Sequence, residues 1–274
     1  MTPDDRVGAL LAWYHHTARP FPWRRTRDPW ALLVVETMSQ QTQIGRVLPK
    51  WEAWMERYPT PADCAGASPE EVLELWVGLG YNRRAIRLRA ASAMVAADGW
   101  PTTVEGLRRL PGVGPYTAAA VACQAFGVQV PTIDTNHRRI LSRWEGVALS
   151  GDTLDDASRR LLPTGLAEDW NQALMDLGAT VCLPNPRCEE CPVSPWCADP
   201  TVYEPPRPQG RFEGSTRQVR GEVLKALLDG PADVRALAAT TGHDPRRVHE
   251  AVAAMGNEGL VQPDGERWAV VGSR

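Results

Sequence analysis

The sequence predicts a mainly α-helical chain that closes on a small module of three helices and a hairpin. Apolar residues recur at helical intervals through most of the chain, and several of those runs carry capping signals. Strand signals are nearly absent before residue 260. After residue 215, three short helical patterns lead into one turn-centred alternating stretch.

The elements follow in order. PWALLVVETMSQQTQIGRVLPKWEAWMERY, residues 29–58, has apolar residues at helical intervals. SPEEVLELWVGL opens on Ser68 with Glu71 three residues on, a capping box, and Pro69 fits the first helical position. NRRAIRLRAASAMVAADG ends on Gly99, a helix stop. TTVEGLRRLPGVGPYTAAAVACQAFG reads as helix, tight turn, helix. EPPRPQGRFEG, residues 204–214, is rich in Pro and Gly and reads as a linker. TRQVRGEVLKALLDG, DVRALAATTG and DPRRVHEAVAAMGNEGL then predict three helices, the last capped by Asp244 with Pro245 behind it. LVQPDGERWAVV predicts a hairpin turning at Pro263-Asp264-Gly265, so residues 215–274 have the element order of a winged helix.

Composition bounds the function. The 274 residues are 43% hydrophobic, enough to bury a core, and no run of 18 apolar residues suggests a membrane span. The N-terminus lacks a signal-peptide pattern, and a cytoplasmic protein is expected. The net charge of −3 does not favour a polyanionic partner, but phosphate contact needs only a local basic face. Arginines cluster at 24–27, 83–89, 137–143 and 207–220; each cluster alone reads as a solvated face. Cys64 and Cys123 stand apart and read as buried thiols. Cys182, Cys188, Cys191 and Cys197 are spaced C-x5-C-x2-C-x5-C, which reads as a metal site before a disulfide framework. Four thiolates suit tetrahedral zinc or a [4Fe–4S] cluster, and spacing alone favours zinc.

In LPGVGPYTA, Gly112 and Gly114 flank Val113. Both glycines are expected to reach positive φ and to let another molecule approach the backbone. The following helix begins at once, and its first N–H groups suit a phosphate. A tight helix–helix connection is the plainer reading. The full pattern Leu-Pro-Gly-Val-Gly-x-x-Thr-Ala resembles the helix-hairpin-helix motif of DNA-binding proteins.

Hairpin and cysteines together resemble the endonuclease III superfamily of base-excision DNA glycosylases, in which the hairpin precedes a [4Fe–4S] loop. The first cysteine interval is one residue shorter than the family's usual C-x6-C, with Pro184 and Pro186 inside it. FPWRRTRDPW, ETMSQQTQ, GLGYNRRAIRL, LPGVGPYTAAAV, IDTNHRRILSR and ALMDLGATVC stand in the order of the MutY-type adenine glycosylases and cover roughly residues 19–200. The tail resembles the ending of short bacterial members, with no counterpart of the Nudix-like domain of longer ones.

The resemblance implies a helix-hairpin-helix glycosylase fold: a six-helix domain at 26–133, a cluster domain from 1–25 and 134–203, the linker, and the winged-helix-like domain at 215–274. It implies a [4Fe–4S] cofactor on Cys182, Cys188, Cys191 and Cys197. The partner would be double-stranded DNA with a damaged or mismatched base pair, met by a monomer at the nucleoid.

Breaking an N-glycosidic bond needs a protonated leaving base and a stabilised oxocarbenium-like sugar. Glu36 lies in the apolar run LLVVETM, where a raised pKa would suit an acid; on a bare helix it reads equally as a solvated residue. Asp134 alone is a sound N-cap. The resemblance makes Glu36 the acid that protonates adenine N7 and Asp134 the carboxylate facing the sugar cation. Asn136 would orient that side, and Tyr116 would hydrogen-bond near the sugar. Tyr116 replaces the lysine of bifunctional members; a phenol forms no Schiff base, so the strand would stay uncut. Gln41 would fill the gap beside the orphan base. Arg19, Trp23 and Gln172 would line the adenine pocket, with Arg24 on the same basic stretch. Ser39 departs from the family's usual leucine and removes an apolar wall. A thymine or uracil mismatch glycosylase is the second reading, and a non-catalytic binder of damaged DNA is the third; the QQT stretch and the two carboxylates speak for the first.

Overall fold

The computed structural model describes residues 3–205 and 210–272. Of the expected linker 204–214, residues 206–209, including Arg207 of one arginine cluster, lie outside the described residues. The chain runs α1 (Pro3–Thr17), α2 (Pro29–Ser39), α3 (Ile44–Arg57), α4 (Pro61–Gly66), α5 (Pro69–Trp76), α6 (Arg83–Asp98) and α7 (Val104–Leu107). It continues through α8 (Pro115–Phe126), α9 (Thr135–Glu145), α10 (Gly151–Leu161), α11 (Ala167–Thr180), α12 (Thr216–Leu228), α13 (Val234–Thr241) and α14 (Pro245–Asn257). Strands β1 (Val261–Asp264) and β2 (Arg267–Val270) close it. The mainly helical expectation holds. Among the described residues no helix is long and apolar enough to cross a membrane.

Two compact units divide these elements. One gathers residues 3–32, 102–108 and 113–205. Its core joins Leu10 of α1, Ile140, Leu141 and Trp144 of α9, and Trp170, Leu174 and Leu177 of α11. Val193, from the cysteine loop, is buried in the same core, so the loop is anchored by packing.

The other unit gathers residues 33–101, 109–112 and 210–272. Trp54 and Trp76 meet edge to face, with centroids 5.7 Å apart, and fix α3 on α5. Val219, Val223, Val248, Val252, Met255 and Val270 are buried within the C-terminal helices and hairpin, and α12 also packs on α5. Ala232 bridges to Trp268, which adds a short third edge to the hairpin.

Local signals fix the helix ends. Ser68 and Glu71 form the expected capping box, Asp244 caps α14 and Gly99 ends α6. The helical spacing of residues 29–58 divides into α2 and α3 at residues 40–43, where Gln41 takes φ +55. Two expectations need correction. Before the hairpin turn, only Val104–Leu107 is helical, one turn in length. The C-terminal hairpin turns at Gly265-Glu266, because Asp264 pairs with Arg267 and Pro263 with Trp268, so of the three predicted turn residues Pro263 and Asp264 sit in β1 and Gly265 in the turn.

Candidate active site and cysteine loop

In the first unit, the segment entering α9 is held by Asn171 of α11. Its Oδ1 accepts from the Thr132 N–H at 3.1 Å and its Nδ2 donates to the Val130 carbonyl at 2.9 Å. Asp134 follows as the N-cap. Its Oδ1 accepts from the His137 N–H at 2.7 Å, and its Oδ2 from Asn136 Nδ2 at 3.1 Å. Arg139 donates to Asn136 Oδ1 at 2.8 Å, to the Gly178 carbonyl at 2.7 Å and, through Nε, to the Cys182 carbonyl at 2.8 Å. A continuous chain of hydrogen bonds thus links Asp134 to the first cysteine. Burial pushes the Asp134 carboxyl above its ordinary range, against the pull of its donors and of Arg139.

Gly178 is why α9 and α11 approach so closely there. A Cβ on it would lie 2.6 Å from the Asn136 Cβ, so any side chain would displace Asn136. A glycine inside a helical run is the signal that could have marked this contact.

Arg19 and Arg24 converge on buried Asp176 of α11. Arg24 is bidentate at 2.7 and 2.7 Å, and Arg19 Nε lies 2.5 Å from Oδ1. Burial alone would raise the Asp176 carboxyl; the bonds and charges of Arg24 and Arg19 outweigh it and hold the group below the usual range. Trp23 is buried and stacks on Phe21 at 4.8 Å. Gln172 is half-buried beside Asn171. Asp176 carries no sequence signal of its own; only its partners' clustering hints at it.

Cys182 is buried, Cys188 exposed, and Cys191 and Cys197 half-buried. Cys182 Sγ accepts from Arg143 Nη1 at 3.2 Å, and Arg143, fully buried, also donates to the Leu183, Pro184 and Val202 carbonyls. Burial and then the neighbouring thiols push the Cys191 and Cys197 thiols up, Cys197 to about 11. The four sulfurs therefore feel one another. Among the described residues, no three His, Cys, Asp or Glu side chains are set to hold a single metal ion.

In the second unit, Glu36 lies half-buried in α2 among fully buried Leu32, Leu33, Val34 and Met38. Ser39 ends the helix half-buried, and Gln41 stands exposed in the break that follows. Tyr81, not singled out by the sequence, is 42% exposed at φ +48, an unusual backbone for an aromatic residue.

The hairpin divides by role. Gly112 takes φ +81, and a Cβ there would meet the Arg87 Cβ at 3.0 Å. Gly114 was expected to share the positive φ but lies at φ −85, ψ 177; it is the N-cap of α8, with open space where a Cβ would stand. Val113 is buried, and half-buried Tyr116 sits in the first turn of α8 beyond Pro115.

Residues 34–162 match the model of the HhH-GPD superfamily base excision DNA repair protein. An adenine DNA glycosylase of Mycolicibacterium smegmatis is 42% identical, covering 96% of this chain and 95% of that one. One of Mycobacterium tuberculosis is 44% identical over 80% of this chain and 77% of its own. A thermostable thymine-DNA glycosylase of known structure superposes with a TM-score of 0.66 at 31% identity, covering 71% of this chain and 96% of that one. The chain belongs to the adenine DNA glycosylase family of the helix-hairpin-helix base-excision repair proteins.

Proposed function

We propose that the chain hydrolyses the N-glycosidic bond of an adenine turned out of double-stranded DNA opposite 8-oxoguanine or guanine, and leaves the strand uncut. The family supports adenine as the base removed. Asp134 carries the reading on this chain. It is a carboxylate at the amino end of α9, held by the His137 N–H and by Asn136, with Arg139 locking Asn136 in turn. An oriented carboxylate of this kind stabilises an oxocarbenium-like sugar without itself moving. Glu36 gives its proton to adenine N7 as the bond lengthens. Flipping is required because neither group reaches a base inside the stack. Tyr116 stands where a lysine would have to attack the sugar, so hydrolysis ends at an abasic site.

The cysteines fit a [4Fe–4S] cluster. A lone zinc draws four sulfurs to about 2.3 Å from one point, whereas a cubane spreads them over four irons. Four cysteines within one loop, with the Arg143 guanidinium beside Cys182, suit the negative charge of such a cage. Bound by Cys182, Cys188, Cys191 and Cys197, a cluster would hold the loop together, and no proton of the hydrolysis passes through it. Iron and sulfide analysis tests this; stoichiometric zinc in protein purified without oxygen would overturn it.

Base release from duplexes carrying A:8-oxoG, A:G, T:G, U:G or hypoxanthine pairs tests the activity. Adenine release with alkali-dependent strand cleavage is expected. Release of thymine or uracil without adenine would favour the mismatch reading instead, to which Ser39 and the likeness to a thymine-DNA glycosylase point.

A further inference from the structure

Arg84, the second residue of α6, is 9% exposed, and among the described residues no carboxylate pairs with it. Nη1 donates to the carbonyl oxygens of Thr37 at 2.8 Å, Met38 at 3.2 Å and Gln40 at 2.6 Å. Nη2 donates to Thr42 Oγ1 at 3.2 Å and to the carbonyls of Leu79 at 3.1 Å and Gly80 at 3.0 Å. The guanidinium lies over the Trp76 ring at 5.3 Å and the Tyr81 ring at 5.5 Å. Burial lowers its pKa to about 10. A buried cation without a counter-ion is costly to desolvate, and a leucine or methionine would pack the same space without that cost.

The cost has a specific return. Among the described residues, Gln41 and Tyr81 are the non-glycine positions with positive φ, +55 and +48. The peptide groups entering them are Gln40–Gln41 and Gly80–Tyr81, and Arg84 holds the carbonyl oxygen of each. One guanidinium therefore fixes both left-handed residues, each a strained backbone that persists only when its surroundings enforce it. It also takes carbonyls from the last turn of α2, which carries Glu36. Both strained residues are exposed, where they can meet a partner.

We propose that Arg84 is a positioning residue that locks residues 37–42 and 79–81 into one rigid probe, so that Gln41 and Tyr81 meet an opened base pair already in shape. This rests on the adenine reading above. Because the strain is borne in the free protein, ordering costs little on binding, and the gain falls on lesion duplex rather than on matched duplex.

The test measures the dissociation constants of the full chain for A:8-oxoG and matched duplexes. Lysine is a compact point charge without the planar fork, so Arg84→Lys cannot bridge both loops. It should lower the preference for the lesion about tenfold, or about 1.4 kcal/mol, with matched-duplex affinity unchanged. In a Gln41→Ala, Tyr81→Ala background the same change should have no further effect, since the groups it positions are gone. A merely structural role would weaken both duplexes and add to the double variant; either result overturns the proposal. Should Arg84→Lys not fold, Thr42→Val keeps Arg84 and deletes the hydroxyl that links Arg84 to the Leu79 carbonyl. A two- to threefold loss of preference is then expected, and wild-type preference would overturn the idea. Wild-type chain that shows no preference at all sinks the adenine reading, and this inference with it.

Discussion

Glu36 stands in the last turn of α2, whereas Asp134 caps the first turn of α9. A helix welcomes an anion at its amino end and repels one at its carbonyl end. Asp134 also receives two hydrogen-bond donors, while the α2 end turns its carbonyls to Arg84. Each end thus suits one job: at α9 the helix end and two donors face a developing cation and work against the burial that raises the Asp134 carboxyl, and the apolar run of α2 suits a group that must deliver a proton. Chemistry with an acid and an anion needs such opposite surroundings.

The sharpest way to break this contrast is to exchange each carboxyl for its amide. Glu36→Gln should abolish base release, about 10²–10⁴-fold for the lost acid alone, with duplex affinity kept. Near-normal single-turnover cleavage would remove Glu36 from the chemistry. Asp134→Asn should cost on the order of 10²–10³-fold, the scale of one electrostatic contact to a developing charge. Its amide oxygen can still accept from the His137 N–H, so the cap survives, but its amide nitrogen would face the Asn136 Nδ2 donor, and stability should fall by about 1–3 kcal/mol. A large drop in melting temperature with an intact rate would make Asp134 only a cap.

The same contrast explains what could be read beforehand. Asp134, Ser68 and Asp244 were legible because a cap acts on residues two or three positions away. The break between α2 and α3 was not, because it is imposed by Arg84, 44 positions from the Gln40 carbonyl it binds. The basic clusters misled for the same reason. Their composition is visible, but Arg24, Arg84, Arg139 and Arg143 are spent on a carboxylate and on backbone carbonyls inside the protein. Arg83 and Arg87, one turn apart on α6, are exposed beside them.

His137 sharpens the contrast from the α9 side. It is buried, among the described residues its Nε2 has no hydrogen-bond partner, and burial lowers its pKa to about 4. The unfolded chain takes up this proton below pH ~6.5 and the folded chain does not, so stability falls as pH drops. Between pH ~6.5 and about 4 the loss is roughly 3 kcal/mol, from some 2.5 units at about 1.36 kcal/mol each. Asp176, held low by its arginines, adds a further loss only below pH ~4. Thermal unfolding of His137→Leu should therefore lack the first decline and keep the second. An unchanged decline between pH 6.5 and 4 would place its cause elsewhere.

The smallest effect separates the two glycines of the hairpin. Gly112→Ala forces a side chain onto φ +81 and against Arg87, so it should cost roughly 1–3 kcal/mol of stability whatever the DNA does. Gly114→Ala meets neither problem, since its φ is −85 and nothing lies within 4 Å of the new Cβ. Alanine is a poorer N-cap than glycine by some tenths of a kcal/mol, but it also narrows the unfolded ensemble by about 0.4–1 kcal/mol, so the melting temperature should hardly move. What remains is the space in front of the first turn of α8. If a DNA phosphate occupies it, the methyl group should raise the dissociation constant about fivefold, the worth of one net hydrogen bond. Lesion and undamaged duplex should weaken together, because a phosphate contact positions the protein without reading sequence. Unchanged affinity for both, in a variant with wild-type melting, would make Gly114 a cap and nothing more, and the anion site at α8 would be lost from the DNA-facing surface.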